Sequence, residues 1–275
     1  MRDRLVALLS DYDLVAIQEN DLTAPSMWTV HFATAAARDQ AADAVRSAEE
    51  IVPPQVDLAE IEDEDWARRT QADLPAIRIG RVIVAPPWDL PAASKSAGGE
   101  PELVVEIEPS RGFGTGHHQS TRLCLVLLQH RPMQDQTVID VGTGSGVLAI
   151  VAARLGAAFV SAIDVDPDAI ENARENVVRN GVASTVEAHV RDLTEGGMPP
   201  ADVVTANLTG TLLARYAPQL GALVRAGGCL IVSGFTIDEK DLVLDAFDGT
   251  FALTESAEED DWWAFVLTRQ PHPSG

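Results

Sequence analysis

The stretch Val138-Ile-Asp-Val-Gly-Thr-Gly-Ser-Gly-Val-Leu-Ala-Ile150 holds the residues best suited to gripping a small molecule. A β-branched run ends near Asp140, glycines follow at the alternate positions Gly142, Gly144 and Gly146, and an apolar helical pattern begins. That order reads as a strand, a tight turn and a helix start. Glycine admits the left-handed backbone of such a turn and lets bare amides approach a ligand. A dinucleotide fold spaces its glycines Gly-x-Gly-x-x-Gly around a pyrophosphate. Here the third glycine comes one residue early, and an acid stands two residues before the first. A compact turn with an acid at its base suits a nucleoside ligand without phosphate. S-adenosylmethionine, which carries a sulfonium and an ammonium, is such a ligand. The alternative is a strand–helix turn that binds nothing.

Further polar residues fall at positions that could complete such a site. Asp164 ends the next apolar run, Ile163-Asp-Val-Asp-Pro167, about twenty residues past the turn, where an acid accepts hydrogen bonds from both ribose hydroxyls. Asp166 stands just before Pro167 and reads as an N-cap with proline at the first helical position. Asn207 closes Asp202-Val-Val-Thr-Ala-Asn-Leu208. Strand ends of this kind line the ligand crevice of open α/β sheets. Its amide oxygen can accept a hydrogen from an amine and aim the nitrogen lone pair at a methyl carbon; alternatively, Asn207 caps the next helix. Gly112-Phe-Gly-Thr-Gly-His-His-Gln-Ser-Thr121 is a glycine-rich polar loop in front of a helix, able to fold over a ligand. Phe113, Gly114, Thr115, Gly116 and His117 make up the candidate lid, and His118 is a candidate proton relay. Two adjacent histidines with no partner carboxylate nearby are a weak metal signal, so no metal is expected.

These residues need a scaffold of alternating strands and helices. From about Gly112 the pattern supplies it, with strands at 137–141, 159–164, 186–190, 202–207, 229–233, 251–255 and 262–268. Helices are expected at 121–129, 146–155, 167–180, 211–223 and 238–247, and the final two strands form a hairpin. This predicts an α/β fold: a doubly wound, seven-stranded, mostly parallel sheet. A small N-terminal α/β domain precedes it at 1–55, with strands at 14–19 and 28–33 and a helix at 35–48. A connecting region at 56–105 carries single strands at 77–84 and 103–107, and residues 106–275 form the large domain.

The 275-residue chain has a formal net charge of −22, which repels phosphate backbones and attracts a basic partner. No direct nucleic-acid contact is expected. Cys124 and Cys229 lie in apolar surroundings and read as buried free thiols. No apolar run is long enough to span a membrane and the N-terminus carries no apolar signal core, so the cytoplasm is the expected compartment.

Together these residues resemble the ribosomal large-subunit protein eleven methyltransferase (PrmA) family. Phe113-Gly-Thr-Gly-His-His-Gln-Ser-Thr121 is similar to that family's Phe-Gly-Thr-Gly-x-His-x-Thr-Thr loop, with Ser120 in place of a threonine. Asp140–Ile150, Asp164-Val-Asp-Pro167, Asn176, Asn180-Gly181, Ala206-Asn-Leu208 and Ser233-Gly-Phe235 continue the likeness in order. Glu64-Asp-Trp66 and Ala85-Pro-Pro-Trp88 resemble its signatures in the connecting region. The resemblance implies a Rossmann-like methyltransferase fold and an enzyme that moves methyl groups from S-adenosylmethionine to lysine ε-amino or N-terminal α-amino groups. It implies cofactor contacts at Thr121, Gly142, Asp164 and Asn207, and a ribosomal protein docked on the N-terminal domain as partner. Because the N-terminal match is poor, a related lysine methyltransferase acting on another protein, such as the electron-transfer flavoprotein β-subunit, is the alternative. A nicotinamide oxidoreductase conflicts with the glycine spacing. A non-catalytic binding module conflicts with the retained Asn207 and histidine loop.

Overall fold

In the computed structural model the described residues are 14–19, 28–32, 35–47, 56, 74–91, 101–108 and 116–270. The chain divides into two units, residues 1–66 and 67–275. In the first, β1 (Leu14–Glu19) pairs antiparallel with β2 (Trp28–Phe32), and α1 (Ala35–Ser47) follows. Ala41, Ala42 and Val45 are buried; their spacing puts them on one face of α1.

The second unit opens with a small sheet, β3 (Ile77–Ile79), β4 (Val82–Ala85) and β5 (Leu103–Glu106), in that order. The sequence reads 77–84 as one strand, but the chain turns back at Gly80-Arg81 and β3 pairs antiparallel with β4. The Gln129 side chain satisfies this turn, accepting from the Arg81 amide at 2.9 Å and donating to the Ile79 carbonyl at 3.0 Å. Periodicity alone could not register that partner, which lies about fifty residues away.

The large sheet follows: α2 (Gln119–Gln129), β6 (Thr137–Val141), α3 (Val147–Arg154), β7 (Phe159–Asp164), α4 (Pro167–Arg179), β8 (Val186–Val190) and β9 (Ala201–Asn207). Next come α5 (Gly210–Arg215), α6 (Ala217–Leu223), β10 (Val224–Thr236), α7 (Lys240–Phe247), β11 (Phe251–Glu259) and β12 (Trp262–Arg269). The strand order is β11-β12-β10-β9-β6-β7-β8. β6 through β10 run parallel, whereas β12 runs antiparallel to β10 and to β11, as the expected closing hairpin. The helix expected at 211–223 breaks at Tyr216, because Pro218 has no amide hydrogen and its ring crowds the carbonyl four residues back.

Helices cover both faces of this sheet. One core gathers Leu123, Leu127, Ile150, Val160 and Ile170 around α2, α3 and α4. The other gathers Ile139, Val204, Leu220, Phe235 and Phe265 with α5, α6 and α7. Each fully buried Leu, Ile or Phe contributes about 1.5–3 kcal/mol by leaving water. β6 is buried from Val138 to Val141 and β9 from Ala201 to Ala206, as expected of parallel strands covered on both faces. The chain steps outward from β6 to β8 and returns to β9 on the opposite side of β6. That switch of direction opens a crevice at the carboxyl ends of β6 and β9.

Candidate functional site

The glycine turn lies at the carboxyl end of β6. Gly142, Gly144 and Gly146 have φ of 67°, 53° and 81°, left-handed values that L side chains seldom adopt. The amides of Gly142 and Thr143 donate to the Ile163 carbonyl at 2.9 and 3.0 Å, tying the turn to β7. A Cβ on Gly146 would sit 3.2 Å from that of Ala173, so the glycine lets α3 lie close against α4.

Asp164 stands beside this turn, half-buried at the end of β7. Its Oδ2 accepts from the Gly144 amide at 3.0 Å and its Oδ1 from the Asp166 amide at 3.1 Å. Those bonds orient the carboxylate and leave a further lone pair on each oxygen. Asp166 is the expected cap of α4, accepting from the Asp168 amide at 2.9 Å.

Asp140, expected on the cofactor, lies beneath the turn at 1% exposure. Its two oxygens accept from the Thr143 hydroxyl at 2.6 Å and the Thr205 hydroxyl at 2.5 Å. Burial pushes its carboxyl above the ordinary range, the two hydroxyls oppose that rise, and the nearby Asp164 adds to it. Asp140 therefore braces the turn against β9 from below. Cys124 lies buried nearby, its thiol pushed up by burial and then by Asp140, while Cys229 is only partly buried.

Across the crevice, the Asn207 amide nitrogen donates to the Thr121 hydroxyl at 3.2 Å. The helix cap on the next element is Thr209, whose side chain accepts from the Leu212 amide, so the capping alternative for Asn207 falls away. With its nitrogen turned to Thr121, the Asn207 Oδ1 receives no hydrogen bond from any described residue.

Phe113, Gly114 and Thr115 of the expected lid lie outside the described residues. Gly116 is buried, and a Cβ on it would meet Val84 Cγ1 at 3.1 Å. His117 Nε2 donates to the Pro75 carbonyl at 2.9 Å. The Pro-Pro-Trp segment supports that carbonyl's neighbours, for Trp88 Nε1 donates to the Leu74 carbonyl and Asp89 accepts from the Ala76 amide. His118 caps α2, its Nδ1 accepting from the Ser120 amide at 3.3 Å, and its ring stands edge-on to Trp262 at 4.4 Å. Partial burial and then the Arg122 guanidinium hold its imidazole below the usual histidine range. The cap uses the unprotonated form of Nδ1, so protonation there breaks it. Arg122 pairs with Glu259 at 3.0 Å and also donates to the His117 carbonyl, which fastens this segment to the tip of the β11–β12 hairpin. Among the described residues no cluster of His, Cys, Asp or Glu could hold a metal ion.

The glycine turn, the Asp164 carboxylate and the Asn207–Thr121 pair thus lie at the carboxyl ends of the central strands. A family model described as ribosomal protein L11 methyltransferase (PrmA) matches residues 7–270. The chain belongs to the ribosomal protein L11 methyltransferase family. Among its relatives is the ribosomal protein L11 methyltransferase of Symbiobacterium thermophilum, 38% identical over 212 residues, which span 77% of this chain and 67% of that one. That of Cupriavidus necator is 40% identical over 223 residues, 80% of this chain and 70% of that one. A crystal structure of ribosomal protein L11 methylase from Lactobacillus delbrueckii subsp. bulgaricus superposes with a TM-score of 0.64 at 25% identity, covering 72% of this chain and all of that one.

As a member of this family the chain is an S-adenosylmethionine-dependent protein methyltransferase, and the crevice suits that cofactor. Residues 142–146 carry no Lys or Arg to meet a phosphate. Asp164 holds a carboxylate oriented by two backbone amides beside the turn. Sequence reasoning missed the buttress of Thr143 and Thr205 and the hairpin tip around Glu259 and Trp262. It noted Asn176 and Asn180 through resemblance alone, although Asn172, Asn176 and Asn180 recur every fourth residue.

Proposed function

We propose that this methyltransferase modifies amino groups of ribosomal protein L11, at lysine ε-amino groups, the N-terminal α-amino group, or both. The observation that carries this reading is the Asn207 amide, whose nitrogen is held by the Thr121 hydroxyl while its Oδ1 has no protein donor among the described residues. Thr121, Gly142, Gly144, Gly146, Asp164 and Asn207 hold the cofactor, with Asp140 setting the turn from beneath. When bound, S-adenosylmethionine supplies a methyl carbon already activated by its sulfonium. Asn207 Oδ1 accepts a hydrogen from the incoming amine and points its lone pair along the line of attack, which is alignment rather than acid–base chemistry. A free lysine amine has a pKa near 10.4, and transfer into a dry crevice favours its neutral, nucleophilic form.

The partner is a protein, and the net charge of −22 suits a basic one and disfavours nucleic acid. Residues 1–55 form the docking domain in this reading, and the cytoplasm is the place of action. No helix among the described residues is long and apolar enough to cross a membrane. The relatives reported above carry the ribosomal name, which favours L11 over the flavoprotein subunit. Purified chain, methyl-labelled S-adenosylmethionine and purified L11 test the reading. Label on L11, reduced at least a hundredfold in an Asn207→Ala variant that still binds cofactor, is the expected result. Full turnover by that variant removes Asn207 from its role.

A further inference from the structure

Asn172 and Asn176 of helix α4 and its C-cap residue Asn180 recur at a spacing of four, which sets them along one face. All three face the open edge of β5 and the two residues beyond it. Asn180 accepts from the Glu106 amide at 2.9 Å and donates to the Glu106 carbonyl at 2.7 Å. Asn176 Oδ1 accepts from the Glu108 amide at 3.0 Å, and Asn172 donates to the Glu108 carbonyl at 3.5 Å. Three helix side chains thus supply the hydrogen bonds that a neighbouring strand would give, and they close the edge of β5.

Asn176 does something its two neighbours do not. It is 0% exposed, and its amide nitrogen donates to the Ser145 carbonyl at 3.0 Å, inside the glycine turn, and to Asn172 Oδ1 at 3.3 Å. Both amide hydrogens and the amide oxygen are therefore engaged. One buried side chain joins the turn at the end of β6 to Glu108, two residues past β5. A helix interior does not favour asparagine, so Asn172 and Asn176 are better explained by these contacts than by propensity.

We propose that Asn176 is a positioning residue for the cofactor: by holding the Ser145 carbonyl it sets the turn of Gly142–Gly146, and by holding the Glu108 amide it keeps the preceding segment in register with that turn. This rests on the reading that the glycine turn holds S-adenosylmethionine. The Asn176 side chain touches no reacting atom, so its effect appears in cofactor affinity rather than in the chemical step.

The test compares Asn176→Asp and Asn176→Ala with Asn180→Ala, which releases Glu106 but leaves Ser145 untouched. Calorimetry gives Kd for S-adenosylmethionine, and thermal unfolding of the cofactor-free protein reports stability. Initial rates of methyl transfer at saturating cofactor give kcat. Both Asn176 variants are expected to raise Kd about tenfold or more with kcat within about threefold of the parent, and Asn180→Ala to lower Tm without moving Kd. Asn176→Asp keeps the shape but loses both donors, so it should weaken binding as much as the alanine variant does. If neither Asn176 variant folds, Asn172→Ala removes one of the two acceptors of the Asn176 amide and should raise Kd about threefold. Parental Kd in every folded Asn176 or Asn172 variant, or an equal rise in Asn180→Ala, overturns the assignment. Failure of the unaltered protein to bind S-adenosylmethionine is a separate outcome, which defeats the underlying reading of the turn.

Discussion

Gly234→Ala probes the segment that carries Asn207 through a single methyl group. Gly234 follows Ser233 on β10, opposite Asn207 of the neighbouring strand β9 and Leu208 just beyond it, and has φ of 96°. A Cβ there would lie 2.4 Å from the Leu208 carbonyl oxygen, 2.8 Å from the Leu208 carbonyl carbon and 3.0 Å from Asn207 Oδ1. The nearest obstacle is backbone, so no rotamer change relieves it. Restoring ordinary contact at about 3.4 Å requires a shift of about 1 Å in the segment that carries Asn207. The left-handed backbone costs roughly 1–2 kcal/mol for an L side chain, and overpacking adds roughly 1–3 kcal/mol. A displacement of about 1 Å at a catalytic group can lower turnover about a hundredfold. Gly181 is the control: its φ is 67° and nothing lies within 4 Å of an added Cβ. Gly181→Ala should therefore lose only the roughly 1–2 kcal/mol of backbone strain and keep its kcat. Urea unfolding measures the first quantity, and initial rates of labelled-methyl transfer measure the second. Equal stability losses in the two variants, with kcat of Gly234→Ala unchanged, refute the reasoning.

Further outcomes follow from the same geometry. Asp164→Asn leaves one carboxamide oxygen where two oxygens now accept the Gly144 and Asp166 amides. With a charge-assisted bond worth about 1.5–3 kcal/mol, S-adenosylmethionine should bind about ten- to a hundredfold more weakly by calorimetry. The His118 imidazole is held below its unfolded value, so its contribution to stability is fully present above about pH 6.5 and lost as pH falls through the folded value. His118→Ala should lower Tm above that pH and narrow the gap to the parent below it. Asp140 shows the opposite sign: a raised carboxyl favours the fold fully below about pH 3.8, and that contribution is lost as pH rises through the folded value. Asp140→Asn should therefore gain stability relative to the parent as pH rises from about 4 to 7. A constant difference between the two unfolding curves across that range contradicts the assignment.

The sequence made the strand–turn–helix at Val138–Ile150, the Asp166 cap and the closing hairpin legible, because each depends on neighbours within a few residues. Long-range partners were harder to read. The hairpin at 77–85 depends on Gln129, and the seat of Asp140 depends on Thr205, which lies on a different strand. Spacing alone assigned Asp140 and Asp164 alike to the cofactor, yet burial separates them, one beneath the turn and one beside it. Thr121 emerged only through family resemblance, since nothing local in Gln119-Ser-Thr-Arg122 points to Asn207. His118 shows the converse case: its cap is a local contact to Ser120, two residues on, that its chemistry alone did not suggest.

The central claim is that this crevice delivers methyl groups to amines of ribosomal protein L11. Peptide mass spectrometry of purified L11 after incubation with the chain and S-adenosylmethionine tests it most directly. Methyl groups confined to lysine ε-amino or N-terminal α-amino nitrogens, and absent when Asn207→Ala replaces the parent, are the expected result. Unmodified L11, from a chain shown by calorimetry to bind S-adenosylmethionine, contradicts the claim.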